Sequence, residues 1–361
     1  MELSGNKGEW SEVYVFFRLL GEGKLHTGDA LLNKKEILPI IKVIRGDALG
    51  RGFFTNKNAC VVIVDEVSGN EVLRIPMNTF MQESKRLLDE ISFSGEGSLV
   101  FPKSEKFFRH IGCYKLKAPS DNKADIRVMI HDSRTGMNPT LGFSIKSQLG
   151  SPSTLLNPGK TTNFLYRVTG ACLSEEQVKA INGITAHRAR MEALFQSGCR
   201  LEYEDMENAT FKNNLLFIDC CLPMLVGECL STVASPTNES PKIDVVVNSI
   251  SRRNPLNYTG TNVKDFYAHK LKTLLIDAAL GMTPGKVWNG RYDANGGYIV
   301  VKTDGDLVCY HFYDRNDVED YLYCNTRFEA ASRGRYGWGS LFYSEDGLLR
   351  MRLNLQIRFI K

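Results

Sequence analysis

The stretch that decides the fold is "GFSIKSQLG", residues 142–150. Successive side chains of a β-strand point to opposite faces, so Phe143 and Ile145 share one face while Ser144 and Lys146 share the other. The apolar face predicts contact with a core. A lysine on the opposite face is either solvated or catalytic, and the sequence around this strand favours the second interpretation.

The sequence before this strand predicts an antiparallel hairpin. "ADIRVMIHDSRTGMNPTLGFSIKS" contains a strand, a turn rich in Thr, Gly, Asn and Pro, and then the strand above. If the turn centres on Arg134–Gly136, the pairing places Asp125 opposite Ser144 and close to Lys146. Gln148 lies on the same face. We therefore expect these polar side chains to converge on one side of a two-stranded unit whose other side is core.

This set of residues resembles the active site of the PD-(D/E)XK nucleases, in which an acidic residue begins one strand and an acid-x-Lys triplet ends the next. The resemblance implies Asp125 as a metal-binding carboxylate and Lys146 as a catalytic lysine. Phosphodiester hydrolysis uses a hard cation such as Mg²⁺ with oxygen ligands, and a nearby lysine can stabilise developing charge. Here the triplet is Ser144-Ile145-Lys146, so its usual carboxylate is missing.

The N-terminal helix offers a replacement for the missing carboxylate. We expect this helix from about Gly8 to Leu20, with an apolar stripe on one side. "KGEWSE" resembles the Lys-Gly-x-x-x-Glu helix that precedes the catalytic strands in several such nucleases. That resemblance assigns Glu12 as a metal-site carboxylate, with Glu9 in reserve. The alternative is that both glutamates are ordinary first-turn residues favoured by the helix dipole.

A longer resemblance covers nearly the whole chain. "KGEWSEVY", "FSIKSQLGSPSTLLN" and "DANGGYIVVKTDGDLVCYHFY" are together similar to the HpaII family of type II restriction endonucleases. The resemblance implies a PD-(D/E)XK core, Mg²⁺-dependent cleavage of double-stranded DNA at a short site, and a methyltransferase that acts on the same site. The name-giving enzyme of the family reads CCGG. A short palindromic target favours a two-fold symmetric homodimer.

Two arginine-bearing stretches are candidates for reading bases. "SISRRNP" holds Arg252 and Arg253, and "RFEAASRGRYGWGSLF" holds Arg327, Arg333 and Arg335 among glycines and aromatic residues. Arginine pairs bidentately with guanine in the major groove, and glycine lets a loop approach the duplex closely. The alternative is a flexible surface loop with solvated arginines.

Hydroxyl groups and charge give weaker indications of a DNA partner. After the catalytic strand, Ser151, Ser153 and Thr154 can hydrogen-bond phosphates, or can serve only in loop and capping contacts. The formal net charge is +4. Residues 327–361 hold seven Lys/Arg and three Asp/Glu, so residues 1–326 are balanced. This excess points either to a polyanion or to a solvated basic face.

The other elements predict a mixed α/β fold of the α+β type, with a central mixed sheet flanked by helices. "GGYIVVKTDGDLVCYHFYD" predicts a hairpin with Asp304-Gly305 at its turn. "LLRMRLNLQIRF" alternates like one half-buried strand with a positive face. Asn78, Ser174 and Thr261 are possible helix caps. We expect a nuclease region over residues 1–240 and a C-terminal DNA-recognition region over 241–361, with a soft boundary or none.

Composition limits the cellular setting and the rival classes. The chain has 361 residues, 43% of them hydrophobic, which allows one large domain or two to three ordinary ones. The sequence has neither a bilayer-spanning apolar run nor a signal-peptide pattern, and its nine cysteines form no CxxC pair. We therefore expect no membrane partner, no zinc site of Cys and His spacing, and reduced thiols in the bacterial cytoplasm.

The serious rival is a sequence-specific DNA-binding protein on an inactivated nuclease scaffold, and the missing triplet carboxylate is the observation that favours it. Other enzyme classes lack their motifs. "GEGKLHTGD" contains no Gly-Lys-Ser/Thr phosphate loop and follows a helix rather than a strand, and the chain has no nucleophile elbow.

Overall fold

The computed structural model describes residues 2–46, 50–116, 124–292, 296–329 and 338–360. The chain divides into two compact units. The first unit comprises residues 1–153, 293–321 and 361, and the second unit comprises residues 154–292 and 322–360. Neither unit ends at residue 240, where the sequence suggested a boundary, because the hairpin around Asp304-Gly305 belongs to the first unit.

The described chain alternates between helices and strands, and the expectation of a mixed α+β fold with a central mixed sheet is confirmed. The helices are α1 (Lys7–Glu22), α2 (Met77–Phe93), α3 (Pro102–His110), α4 (Glu175–Gly183), α5 (His187–Gln196), α6 (Ala209–Ile218), α7 (Leu222–Ala234), α8 (Ile243–Arg253), α9 (Val263–Leu280) and α10 (Arg315–Asn325). The strands are β1 (Lys24–Gly28), β2 (Lys34–Ile44), β3 (Arg51–Lys57), β4 (Cys60–Asp65), β5 (Glu71–Pro76), β6 (Ile126–Ile130), β7 (Thr140–Ser147), β8 (Thr154–Leu156), β9 (Asn163–Gly170), β10 (Cys199–Met206), β11 (Gly297–Val301), β12 (Leu307–His311), β13 (Thr326–Phe328), β14 (Leu341–Tyr343), β15 (Leu349–Asn354) and β16 (Ile357–Phe359).

The first unit is built on a nine-stranded mixed sheet in the order β1-β12-β11-β7-β6-β2-β3-β4-β5, and β1 also pairs with β2. The strand quoted first, β7, lies inside this sheet. It is antiparallel to β6, with Ile126 opposite Phe143, and parallel to β11. The predicted hairpin and its register are therefore confirmed.

Two glycines allow β11 to enter the sheet beside β7. A Cβ on Gly296 would lie 1.6 Å from the carbonyl oxygen of Gly142, and one on Gly297 would lie 1.9 Å from that of Tyr310. Gly297 also has a φ of +148°, which side-chain-bearing residues rarely adopt. The pair of glycines in "GGYIVV" thus permits the close approach of neighbouring backbones, and it fixes where β11 begins.

α1 is buried on almost every side rather than along one stripe. Asn6 caps it through a capping box with Glu9, and Gly23 ends it with a φ of 62°. Trp10, Phe16 and Phe17 are each 0% exposed. Burial of each such side chain contributes about 1.5–3 kcal/mol. The helix is therefore a fixed element of the core, and polar residues along it are held in defined positions.

The second unit contains two smaller sheets, in the orders β10-β9-β15-β14 and β13-β16-β8, together with α4 to α9. Ser174 caps α4 in a capping box with Gln177, as predicted. Two other predicted caps are wrong. Pro76, not Asn78, precedes α2 because β5 runs directly into the helix, and Asn262, not Thr261, precedes α9.

The prediction of one strand with a positive face at the C-terminus is also wrong. "LLRMRLNLQIRF" forms β15 in one sheet and β16 in the other. Its arginines do not make a free basic surface, because carboxylates face each of them. Arg350 pairs with Glu204 at 2.6 Å, Arg352 pairs with Glu207 at 2.5 Å, and Arg358 Nε lies 3.7 Å from Glu329.

Among the described residues, no single helix has the length and apolar character needed to cross a membrane, and α6 with α7 reaches them only as a pair bent by 107°. All nine cysteines are free thiols.

Candidate active site

The β6–β7 hairpin brings Asp125 and Ser144 together as the alternation predicts. The Ser144 hydroxyl donates to Asp125 Oδ2 at 3.1 Å, and the N–H of Ile145 donates to the same oxygen at 2.7 Å. The N–H of Asp125 in turn donates to the Phe143 carbonyl oxygen at 2.9 Å. The first two bonds hold the Asp125 carboxylate through Oδ2, and the third holds its backbone at the start of β6. None of the three involves Oδ1.

The two faces of the hairpin differ as predicted. Ile126 and Val128 on β6, and Leu141 and Phe143 on β7, are between 0% and 3% exposed and belong to the core. Ser144 and Lys146 are only partly buried. The polar side chains therefore lie at a surface that the core behind them holds in place.

Lys146 lies on a buried aromatic platform that the sequence did not reveal. Its Nζ is 5.3 Å from the centroid of the Tyr298 ring, because the parallel register of β11 places Tyr298 beside Ser144. Burial lowers the pKa of Lys146 below its ordinary value, while the charges of Asp125 and Glu12 oppose that shift. The ring is a favourable neighbour for the ammonium group.

Glu12 approaches this region from α1. Its side chain is only 8% exposed, and its charge acts on Lys146 together with that of Asp125. The helix lies against the Ile145 and Ser147 side of β7, because Ser11 Oγ is 2.8 Å from Ser147 Oγ. Glu12 thus approaches the end of β7 from α1, on the side where Ser11 meets Ser147.

Glu9 takes part in capping the N-terminus of α1. Its Oε2 accepts a hydrogen bond from the Asn6 N–H at 2.9 Å, and its own N–H donates to Asn6 Oδ1 at 3.0 Å. This is the complete capping box. Of the two glutamates, Glu9 is therefore tied to the helix end, whereas Glu12 is the one whose charge acts on Lys146.

An open cleft of about 780 Å³ lies along the N-terminus of α1 and the end of β7. Its lining includes Glu9, Glu12, Ser147, Ser151 and Ser153, so two of the hydroxyl residues proposed for phosphate contact face it. The cleft is broad and polar rather than a closed ligand pocket, which suits an extended, charged substrate. Lys146 and Asp125 are not among the residues that line this cleft, whereas Ile145 and Ser147 of β7 are.

The remaining expected residues are dispersed. Gln148 follows the end of β7, where its N–H donates to the Val301 carbonyl oxygen at 2.9 Å. Thr154 begins β8 in the second unit. The hairpin site and Thr154 thus belong to separately described units.

The arginine candidates have unequal surroundings. Arg252 and Arg253 end α8 and are exposed, and Arg253 Nη1 lies 3.5 Å from Glu228. Arg327 lies in β13 and pairs with Glu329 at 2.8 Å. Arg333 and Arg335 lie outside the described residues.

Sequence reasoning missed Tyr298 and the contact between Ser11 and Ser147. Tyr298 stands in a stretch that was predicted as a hairpin, but nothing local shows that this hairpin joins β7 from more than a hundred residues away. A periodicity signal did exist for Tyr298, since it shares the face of Ser144 once a parallel register is assumed. For Ser11, the only signal is its place beside Glu12 on α1.

Comparison of the sequence with known proteins identifies a matching family. The HpaII restriction endonuclease family matches residues 6–359. The type II restriction enzyme HpaII of Haemophilus parainfluenzae is 42% identical to this chain over 360 residues, which are 99% of each protein. No solved structure matches the chain.

Proposed function

The chain belongs to the HpaII restriction endonuclease family, and from this premise we propose that Asp125, Glu12 and Lys146 hydrolyse phosphodiester bonds of double-stranded DNA at a short specific site. The observation that carries the assignment of residues is the position of the Asp125 carboxylate, which accepts hydrogen bonds from the Ser144 hydroxyl and the Ile145 N–H, just before the lysine in the chain. Lys146 Nζ lies over the Tyr298 ring, and the charges of Asp125 and Glu12 both act on this partly buried ammonium group.

A divalent cation, which we propose to be Mg²⁺, fits the donors at this point. Asp125 and Glu12 offer carboxylate oxygens, and Ser144 adds a hydroxyl, all of them hard ligands of the kind that Mg²⁺ prefers. When bound, such a cation supplies Lewis acidity toward a phosphate oxygen and a water molecule. Glu12 takes the place of the acidic residue that the triplet Ser144-Ile145-Lys146 lacks.

The protein groups have separate tasks in this proposal. The N–H of Ile145 and the hydroxyl of Ser144 orient the Asp125 carboxylate through Oδ2, so that Oδ1 faces the ligand. The Nζ of Lys146 stabilises negative charge that develops on the phosphate. Because burial lowers its pKa, Nζ can also exchange a proton with the attacking water more readily than a solvated lysine does.

We propose a PD-(D/E)XK core for the first unit on the same grounds. A helix, a hairpin and a mixed sheet carry one carboxylate at the start of β6, one lysine at the end of β7 and one carboxylate on α1. The hydroxyls of Ser151 and Ser153, which line the cleft beside α1, are suited to contacts with the DNA backbone.

For recognition we propose the exposed Arg252 and Arg253, followed by Arg327, as DNA contacts. Arg333 and Arg335 remain candidates for DNA contact on the basis of the sequence. The site that the name-giving enzyme of the family reads, CCGG, contains guanines in both strands, and arginine is the residue that most often reads guanine. A palindromic site of this kind favours a homodimer.

Digestion of plasmid DNA tests the proposal. With Mg²⁺ we expect discrete fragments, and with EDTA we expect none. Sequencing the fragment ends then gives the recognition sequence and the stagger. Ends at CCGG support the specificity proposed here, and ends at another short sequence contradict it while leaving the nuclease assignment intact.

The rival function, DNA binding on an inactivated scaffold, predicts a different result. Intact protein would then retard DNA carrying its site in a gel, yet leave that DNA uncut with every divalent metal tried. That outcome would overturn the proposed mechanism.

A further inference from the structure

Two adjacent cysteines and an aspartate meet at the bend between α6 and α7. The sulfur atoms of Cys220 and Cys221 lie 3.8 Å apart. One carboxylate oxygen of Asp219 and these two sulfurs all lie within 4.8 Å of one another. Cys220 is exposed and Cys221 is partly buried. The proposed nuclease mechanism uses none of these residues.

The separation of the two sulfurs matches what a tetrahedral ion requires. Zinc–thiolate bonds measure about 2.3 Å, so two thiolates on one tetrahedral ion lie about 3.8 Å apart. The observed separation of 3.8 Å equals this value.

Hydrogen bonds and ion pairs hold the third group in position. Asp219 Oδ1 accepts from the N–H of Cys221 at 2.8 Å, and Oδ2 pairs with Lys270 Nζ at 2.5 Å. Lys270 belongs to α9, so three helices converge on the carboxylate. The ammonium group weakens Asp219 as a ligand, but it also favours negative charge on the sulfurs nearby.

We propose that Asp219, Cys220 and Cys221 form a surface site for a thiophilic divalent cation of the Zn²⁺ or Cd²⁺ class. Binding breaks two S–H bonds, forms two metal–sulfur bonds and releases two protons to solvent. Solvent fills the open position beside the exposed Cys220. Soft sulfur ligands discriminate against Mg²⁺, so this site is separate in chemistry from the oxygen-lined nuclease site.

Binding of the ion depends on pH for a simple chemical reason. Each thiol must lose its proton to bind the ion, so affinity for the cation increases with pH.

Titration with Cd²⁺ tests the site, because cadmium–thiolate bonds give an ultraviolet charge-transfer band that carboxylate sites do not. The protein is kept reduced with a phosphine, which leaves no competing thiol. We expect the band in the unmodified protein, its loss in Cys220→Ser and in Cys221→Ser, and its retention in Cys172→Ser, which removes another exposed thiol. Thermal unfolding shows whether each variant is folded.

Either of two results would overturn the proposal: no thiolate band in the unmodified protein, or an undiminished band in Cys220→Ser and Cys221→Ser. Asp219→Asn addresses the third ligand. We expect the band to persist while a higher Cd²⁺ concentration is needed for half saturation. An unchanged half-saturation point removes Asp219 from the ligand set and so contradicts the three-residue site.

Discussion

The β6–β7 hairpin and the β15–β16 segment both alternate apolar and charged residues, yet their charges have opposite surroundings. In the hairpin, burial dominates and lowers the pKa of Lys146. In β15, hydrogen bonds that Arg350 donates to Glu204 and Asp346 dominate and raise the pKa of Arg350. Burial therefore disfavours the charged form of Lys146, whereas the neighbouring carboxylates stabilise the charged form of Arg350. A cation of the first kind is suited to chemistry, and one of the second kind holds strands together.

The largest expected effect follows from removing the cation of the hairpin. Lys146→Ala should lower the cleavage rate by at least about 10²-fold, because a positioned charge on the developing anion is lost. Specific binding to DNA should change little. Fragment appearance over time measures cleavage, and gel retardation in Ca²⁺ measures binding. Arg350→Ala serves as the matched variant from β15, with cleavage retained in whatever fraction stays folded.

Full cleavage by Lys146→Ala would contradict the contrast drawn between Lys146 and Arg350, because the lysine whose pKa is lowered by burial would then have no role in the chemistry. Loss of binding together with cleavage would instead indicate that the residue holds DNA in the ground state.

The sequence predicts contacts between residues that are close in the chain better than contacts between residues that are far apart in it. Asp125 and Ser144 could be paired from alternation alone, because a hairpin fixes its register through a local turn. Tyr298 could not, since its parallel pairing with β7 joins strands far apart in the chain. The two strands of "LLRMRLNLQIRF" were merged for a similar reason. The carboxylates that distinguish a paired arginine from a free one lie far away in the sequence: Glu204 is in β10 and Glu207 follows directly after it.

The second prediction concerns the two glutamates of α1. Glu12→Gln should reduce cleavage by about 10- to 100-fold or more, because it removes a charged oxygen ligand near Lys146. Glu9→Gln keeps a side-chain acceptor for the capping box, so cleavage should be nearly unchanged. Rates measured across a Mg²⁺ titration distinguish a weaker metal site, which more Mg²⁺ restores in part, from a lost catalytic group. Equal losses in both variants would contradict the division of roles.

The third prediction concerns how the free energy of unfolding changes with pH, because a buried histidine and a paired carboxylate affect it in different pH ranges. His311 is 5% exposed, and burial lowers its pKa to about 4, with Asp314 and Asp132 raising it and Arg134 lowering it. The unfolded chain binds the proton near the ordinary value of 6.5, so stability falls as pH drops from about 6.5 to 4. We expect a loss of about 3 kcal/mol in this window, measured by urea unfolding.

The carboxylates around Arg350 provide the contrast for this measurement. Hydrogen bonds from Arg350 lower the pKa of Glu204, so that pair stabilises the fold above the ordinary range of a glutamate and is lost only at more acidic pH. His311→Gln should flatten the loss between pH 6.5 and 4 and leave the acidic limb. If His311→Gln has the same dependence of stability on pH as the unmodified protein, another group causes the loss between pH 6.5 and 4.

The fourth prediction concerns the platform beneath Lys146. Tyr298→Phe keeps the aromatic ring, and we expect near-normal cleavage. Tyr298→Leu removes it, and a loss of about 2- to 30-fold in kcat follows from a contact worth about 0.5–2 kcal/mol. KM should change little in both variants, since the ring touches the lysine and not the DNA. Equal activity of the two variants would show that the ring only fills space.

The smallest expected effect separates exposed arginines from paired ones. Arg252 is exposed at the end of α8, whereas Arg352 pairs with Glu207 at 2.5 Å. If Arg252 contacts a phosphate, Arg252→Ala weakens DNA binding and reduces the slope of log affinity against log salt by about 1. Arg352→Ala should leave that slope unchanged, because its charge is already neutralised within the protein. A changed slope for Arg352→Ala alone would reverse the comparison, since pairing with Glu207 would then not keep that arginine from the DNA.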